Sequence, residues 1–128
     1  MKPKQRPLSP FMIGPYYRPQ LTSLMSIAHR ASGVFLSLVA APLLLWFIVA
    51  VSSGPAAYQT LTGFFSGWAG RILLAATVLG LFYHLFNGVR HLVWDTGRAL
   101  DIRSAYGAGV AVLIATVLAT AVMLGALL

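Results

Sequence analysis

The chain has 128 residues, 59% of them hydrophobic and only 9% charged, with a mean hydropathy of +0.82. A soluble domain of this size cannot hide that much apolar surface, so a water-soluble enzyme is excluded. The net charge of +7 could suggest nucleic acid, but the basic residues flank apolar runs, and membrane topology explains them better, so no nucleic-acid partner is expected. The absence of cysteine excludes disulfides, iron–sulfur ligation and thiolate metal sites within this chain.

The chain opens with "MKPKQRPLSPFMIGPYYRPQ", which has prolines at positions 3, 7, 10, 15 and 19. Such a segment cannot form a regular helix and reads as an extended arm. Residues 1–25 are assigned to this proline-rich arm and residues 26–128 to a membrane domain. Phe11, Tyr16 and Tyr17 suit an interfacial or partner surface, although a disordered tail is also possible. No cleavable signal peptide is expected, because the residues before the first apolar run are mostly polar and broken by proline. "LTSLMSIAHR" then enters the first helix, with Thr22 or Ser23 as candidate N-caps.

No Lys, Arg, Asp or Glu lies between Arg30 and Arg71, from Ile72 to Val89, or from Ser104 to Leu128. A bilayer core needs about 20 apolar residues per helix, so three spans are expected, at roughly 30–52, 69–93 and 104–127. The fold class is therefore an all-α membrane protein with three transmembrane helices. Pro42 lies within the first span, where a kink is tolerated. "SSGPAAYQTLTGFFSGW" reads as a polar, glycine-containing connection with interfacial Tyr58 and Trp68, and "DTGRALDIRSAYG" as a short one. The third span has no ionisable group and reads as packing. Lys2, Lys4, Arg6, Arg18, Arg30, Arg90, Arg98 and Arg103 fall on one side of the membrane and only Arg71 on the other. The positive-inside rule then puts the N-terminus in the cytoplasm, or on the corresponding matrix side, and the C-terminus outside.

His84 falls near the middle of the second span, and an ionisable residue at that depth is a functional candidate. A neutral histidine bonded to a neighbouring helix is the plainer alternative. His84, Gly88, His91 and Asp95 recur at i, i+4, i+7 and i+11 and share one helix face. A glycine one turn from a histidine leaves room for a flat macrocycle, and haem iron takes a neutral imidazole as axial ligand. His84 and His91 stand about 10.5 Å apart along one helix, so they cannot ligate opposite faces of one iron. His29, at the mouth of the first span, is expected to be too shallow to reach it. A second histidine ligand would come from another chain. Ser26, His29, Arg30 and Gly33 share a face of the first helix. There a hydroxyl, an imidazole and a guanidinium could meet a quinone, whose carbonyls need donors and whose reduction develops negative charge. Snorkelling of Arg30 at a membrane edge is the alternative.

"RPLSP", "LTSLMSIAHRASG" and "HLFNGVRHLVWD" together resemble the cytochrome b membrane-anchor subunits of bacterial and mitochondrial succinate dehydrogenase, respiratory complex II. The resemblance runs from about Arg6 to Asp95. It implies that the three helices pack with a companion anchor subunit into a haem-binding bundle in the inner membrane. It implies that His84 is the axial ligand to haem b, with the second ligand from the companion. Ser26 and Arg30 would belong to the ubiquinone pocket, His29, Arg30 and His91 would lie near the haem propionates, and Asp95 would serve a proton route or a salt bridge. The implied partners are the second anchor, an iron–sulfur subunit and a flavoprotein subunit, which carry the oxidation of succinate. Many relatives have histidine after the Ser-Pro pair where this chain has Phe11, which bears on how the arm docks. A haem-free structural anchor, the anchor of a fumarate reductase working in reverse, and a small transporter subunit are the alternatives.

Overall fold

The computed structural model describes residues 20–128. The expectations for the proline-rich arm, with Phe11, Tyr16 and Tyr17, lie outside the described residues. The described residues are helical almost throughout and contain three helices long and apolar enough to cross a membrane: Leu21–Ser53, Trp68–Asp95 and Ile102–Leu127.

The first of these rods has three parts: α1 (Leu21–Phe35), a π-helical turn (Leu36–Ala40) and α2 (Ala41–Ser53). Gln20 is the N-cap residue, two or three residues ahead of the expected caps. Ser23 contributes from inside the helix: its Oγ accepts from the Gln20 N–H (3.0 Å) and donates to the Gln20 carbonyl (2.9 Å). The π turn has a local cause in Pro42, which has no N–H to give and whose ring crowds the carbonyl four residues back. The ladder widens just before it, and the Ala41 N–H reaches back five residues to the Leu36 carbonyl. Proline thus produces a wide turn within a continuous rod.

The first connection, expected only as polar and glycine-containing, is itself largely helical. After Gly54, at φ 104°, Pro55 takes the first position of α3 (Pro55–Ser66), where its missing N–H costs nothing. The polar residues that suggested a loop satisfy their own helix: Thr60, Thr62 and Ser66 each donate to the carbonyl four residues back, at 2.7–3.1 Å. Phe64 and Phe65 pack on Trp46 of α2, with ring centroids 5.4 and 6.1 Å away. The chain then reverses at Gly67 into α4 (Trp68–Asp95). A Cβ at Gly70 would run into the Phe64 carbonyl and stand 2.6 Å from the Phe65 Cα, so only glycine fits there.

The turn from α4 into α5 (Ile102–Leu127) is capped by Asp101, whose carboxylate accepts from the Ser104 N–H (3.0 Å). Hydrogen bonds from Ser104 hold this carboxyl below the usual carboxylate range. Among the described residues, α1, α4 and α5 pack on one another, whereas α2 packs only on the π turn and α3. The inner face of α5 is Gly109, Val112, Thr116 and Thr120, and Thr116 returns its hydroxyl to the Val112 carbonyl (2.7 Å). The buried apolar residues are few: Met25, Ala50, Leu61, Val78 and Val112. Leucines and valines stand exposed along every span, as expected of a chain whose outer surface meets lipid and other helices.

Candidate functional site

The three histidines of the chain come together between α1 and α4. The His29 ring stacks on His84 (centroids 4.0 Å apart, planes 7° from parallel) and on His91 (5.1 Å, 24°). His29 therefore lies beside His84, not at a shallower mouth. His29 sits more than two turns inside α1, which begins at Leu21, and α1 packs on α4 at that level. Gly33 permits this close approach: a Cβ there would stand 3.0 Å from His84 Cε1. A Cβ on Gly88 would meet His29 Cε1 at 3.7 Å, an ordinary contact. The His29 ring thus borders the open side of Gly88, and Gly33 is closed by His84.

Hydrogen bonds fix how His84 is presented. The Ser32 hydroxyl gives its proton to the His29 carbonyl (2.8 Å), so its oxygen is left to accept. His84 Nδ1 lies 3.0 Å from that oxygen and 3.1 Å from the same carbonyl. Both neighbours are acceptors, so Nδ1 carries the proton and Nε2 keeps its lone pair. His29 covers a face of the ring, and Nε2 has no hydrogen-bond partner among the described residues. An imidazole held through Nδ1–H with Nε2 free is the form that ligates a metal. The donor set thus fits a haem iron, with one histidine from this chain. His91 is held in the same tautomer, its Nδ1 2.8 Å from the Asn87 carbonyl. His29 Nδ1 is buried without a partner among the described residues. α4 is also tied to α1 by Tyr83, whose hydroxyl donates to the Met25 carbonyl (2.6 Å).

Ser26 is half-buried and lines a cavity of about 430 Å³ between α1, the end of α4 and the start of α5. Ser23, His91, Trp94, Ala105 and Tyr106 share its walls. This volume lies within the roughly 300–1,000 Å³ typical of small-molecule sites. Arg30, one turn further along α1, is exposed and does not line the cavity. Asp95, the last residue of α4, is also exposed. The structure therefore joins Ser26 to His91, and His29 to His84, and leaves Arg30 and Asp95 facing outward.

Sequence reasoning missed Asn87, Arg90 and Ser32. Arg90 was counted as a boundary charge, yet it is 4% exposed inside α4, beside the fully buried Asn87. Its Nη1 donates to Asn87 Oδ1 (3.2 Å) and approaches Met25 Sδ (3.7 Å), its Nη2 donates to the Ala105 carbonyl (3.0 Å), and its Cζ lies 4.1 Å over the Trp94 ring. The i, i+3 spacing of Asn87 and Arg90, with Trp94 four residues on, was the available signal.

Comparison with known proteins agrees with this architecture. The family model described as "Succinate dehydrogenase/Fumarate reductase transmembrane subunit" matches residues 2–123. The chain is 39% identical over 112 residues to a succinate dehydrogenase cytochrome b560 subunit of Marchantia polymorpha, covering 84% of this chain and 80% of the relative. It is 38% identical over 116 residues to the cytochrome b556 subunit of Rickettsia bellii, covering 91% and 88% of the two chains. The corresponding subunit of Paracoccus denitrificans is 37% identical over 102 residues, covering 79% and 75%.

Proposed function

The chain belongs to the succinate dehydrogenase/fumarate reductase transmembrane subunit family, and we propose that it is the cytochrome b anchor of a succinate:ubiquinone oxidoreductase, holding haem b through His84 and contributing Ser26 and Arg30 to the quinone site. The observation that carries this reading is the pair of contacts on His84 Nδ1, to Ser32 Oγ and the His29 carbonyl, which assigns the proton to Nδ1 and leaves Nε2 as the ligating nitrogen. Bound haem b supplies a one-electron relay. The chain's own part is to orient the imidazole, to keep its proton on Nδ1 and to shield it among helices. A second histidine would come from a companion anchor subunit, because His91 lies on the same helix and the same side as His84. His29, Arg30 and His91 would lie near the haem's carboxylate groups.

At the quinone site Ser26 donates its hydroxyl to a carbonyl oxygen, and Arg30 stabilises the negative charge that develops as electrons arrive. Two electrons and two protons convert quinone to quinol, with Asp95 at the end of α4 placed for proton uptake. The electrons come from succinate through the flavoprotein and iron–sulfur subunits. The relatives described above are all named for succinate dehydrogenase, which favours oxidation of succinate over the reverse direction. The proposed location is a bacterial or mitochondrial inner membrane, with the N-terminus on the cytoplasmic or matrix side, supported by the distribution of Lys and Arg.

The test is purification of the native complex from membranes through a tag on this chain. The expected preparation contains three partner subunits, reduces a short-chain ubiquinone with succinate, and shows a low-spin b-type haem spectrum. An active preparation without haem would reduce the chain to a structural anchor. A haem-containing preparation that does not reduce quinone would remove the quinone assignment.

A further inference from the structure

We propose that Arg90 is a positioning residue for the cavity beside Ser26: its buried guanidinium braces three walls of that cavity and thereby sets how tightly a quinone headgroup is held. The inference rests on the reading that Ser26 belongs to the quinone site. An arginine near the end of a membrane helix ordinarily extends its charge to water. Arg90 does the opposite and is 4% exposed.

Its contacts reach every helix that bounds the cavity. On α1 it meets Met25 Sδ (3.7 Å), the residue before Ser26. On α5 it donates to the carbonyl of Ala105 (3.0 Å), and on α4 its flat face covers Trp94 at 4.1 Å. Ala105 and Trp94 are themselves cavity walls. Only a planar fork can do this. Two nitrogens point to different helices while the plane lies on an indole, and an ammonium on a flexible stem cannot reproduce that set.

The charge is compensated by dipoles and an aromatic face. The chain has two acidic residues, Asp95 and Asp101, and both are exposed. Nη1 and Nη2 are engaged within the protein, and Nε is buried without a partner among the described residues. Arg90 does not line the cavity beside Ser26 and acts on it through the walls it holds. His84 is anchored separately, by Ser32 and the His29 carbonyl.

Gly109 offers an independent way to disturb the same junction. A Cβ there would stand 3.0 Å from Met25 Sδ and 3.6 Å from Arg90 Nη2, and would press α5 away from α1 with the guanidinium intact.

The experiment titrates the intact complex with a short-chain ubiquinone, using succinate as donor, for Arg90→Lys, Gly109→Ala and Ser26→Ala. Loss of contacts made equally before and during reaction raises KM and spares kcat. Arg90→Lys should raise the quinone KM roughly tenfold, the scale of losing charge-assisted hydrogen bonds, with kcat within about twofold and an unchanged haem spectrum. Gly109→Ala should shift KM in the same direction, and decides the matter alone if the lysine variant does not assemble. Parental KM in both variants, with quinone reduction impaired in Ser26→Ala, would overturn the role of Arg90 and leave the quinone reading standing. Loss of haem together with activity in Arg90→Lys would overturn it too, by making the residue a general structural element. Parental kinetics in Ser26→Ala would remove the premise itself.

Discussion

Replacing Gly33 by alanine tests whether the His84 ring is held as tightly as its contacts imply. The new methyl would lie 3.0 Å from His84 Cε1, whereas carbon atoms rest at about 3.5–4.0 Å. The ring would have to recede by roughly 0.5–1 Å. It has little freedom to do so, because Nδ1 is held at 3.0 and 3.1 Å and His29 is stacked on it at 4.0 Å. Overpacking of this kind costs about 1–3 kcal/mol. Alanine returns about 0.5–1 kcal/mol of helix propensity, so strain wins and a net loss of roughly 1–2 kcal/mol is expected. Gly107→Ala isolates the propensity contribution, since a Cβ at Gly107 meets nothing within 4 Å. The assay is the haem's optical and electron-paramagnetic spectrum in the assembled complex, with thermal denaturation of the same preparation. A lower melting temperature and altered haem signals are expected for Gly33→Ala alone. A more stable complex with parental haem signals would show that the ring is free to move and that the tautomer argument lacks its rigid base.

Other outcomes follow from the same geometry. Ser26→Ala and Arg30→Lys should each slow quinone reduction by roughly 30- to 1,000-fold, equivalent to about 2–4 kcal/mol, while succinate still reduces an artificial acceptor at the iron–sulfur level. Parental quinone reduction in both variants would leave Arg30 as a membrane-edge charge. A reporter fused after Leu128 should read as periplasmic, or as facing the corresponding compartment, and a cytoplasmic readout would reverse the proposed orientation. Gly70→Ala should sharply lower the amount of subunit in membranes, measured by immunoblot, because its Cβ meets backbone that cannot yield. Normal accumulation would show that α3 is free to swing away from α4.

The membrane fold was legible because long charge-free stretches state burial in lipid without any tertiary information. His84 stood out for the same reason, as an ionisable group deep in such a stretch. The meeting of His29 with His84 was hidden because it depends on the level at which α1 packs against α4. The expected caps lie within two residues of Leu21, where the helix starts, but no pattern within α1 gives its register against α4. Arg90 was read as a boundary charge because much of its burial comes from α1 and α5 closing over it, and the Asn87–Arg90–Trp94 spacing within α4 records only part of that. The helix α3 was missed because polar hydroxyls suggest a loop until they are seen bonding back to their own carbonyls. Pro42 did signal an irregularity, and the chain absorbs it as a π turn.

The most direct measurement is the reduced-minus-oxidised spectrum of the purified complex carrying His84→Leu, compared with Ser32→Ala, which removes one of the partners of Nδ1. Abolition or change of the low-spin bis-histidine signal is expected for the leucine variant, with a retained but shifted signal for the serine variant. A parental spectrum in the His84→Leu complex would contradict the assignment of His84 as this chain's haem ligand.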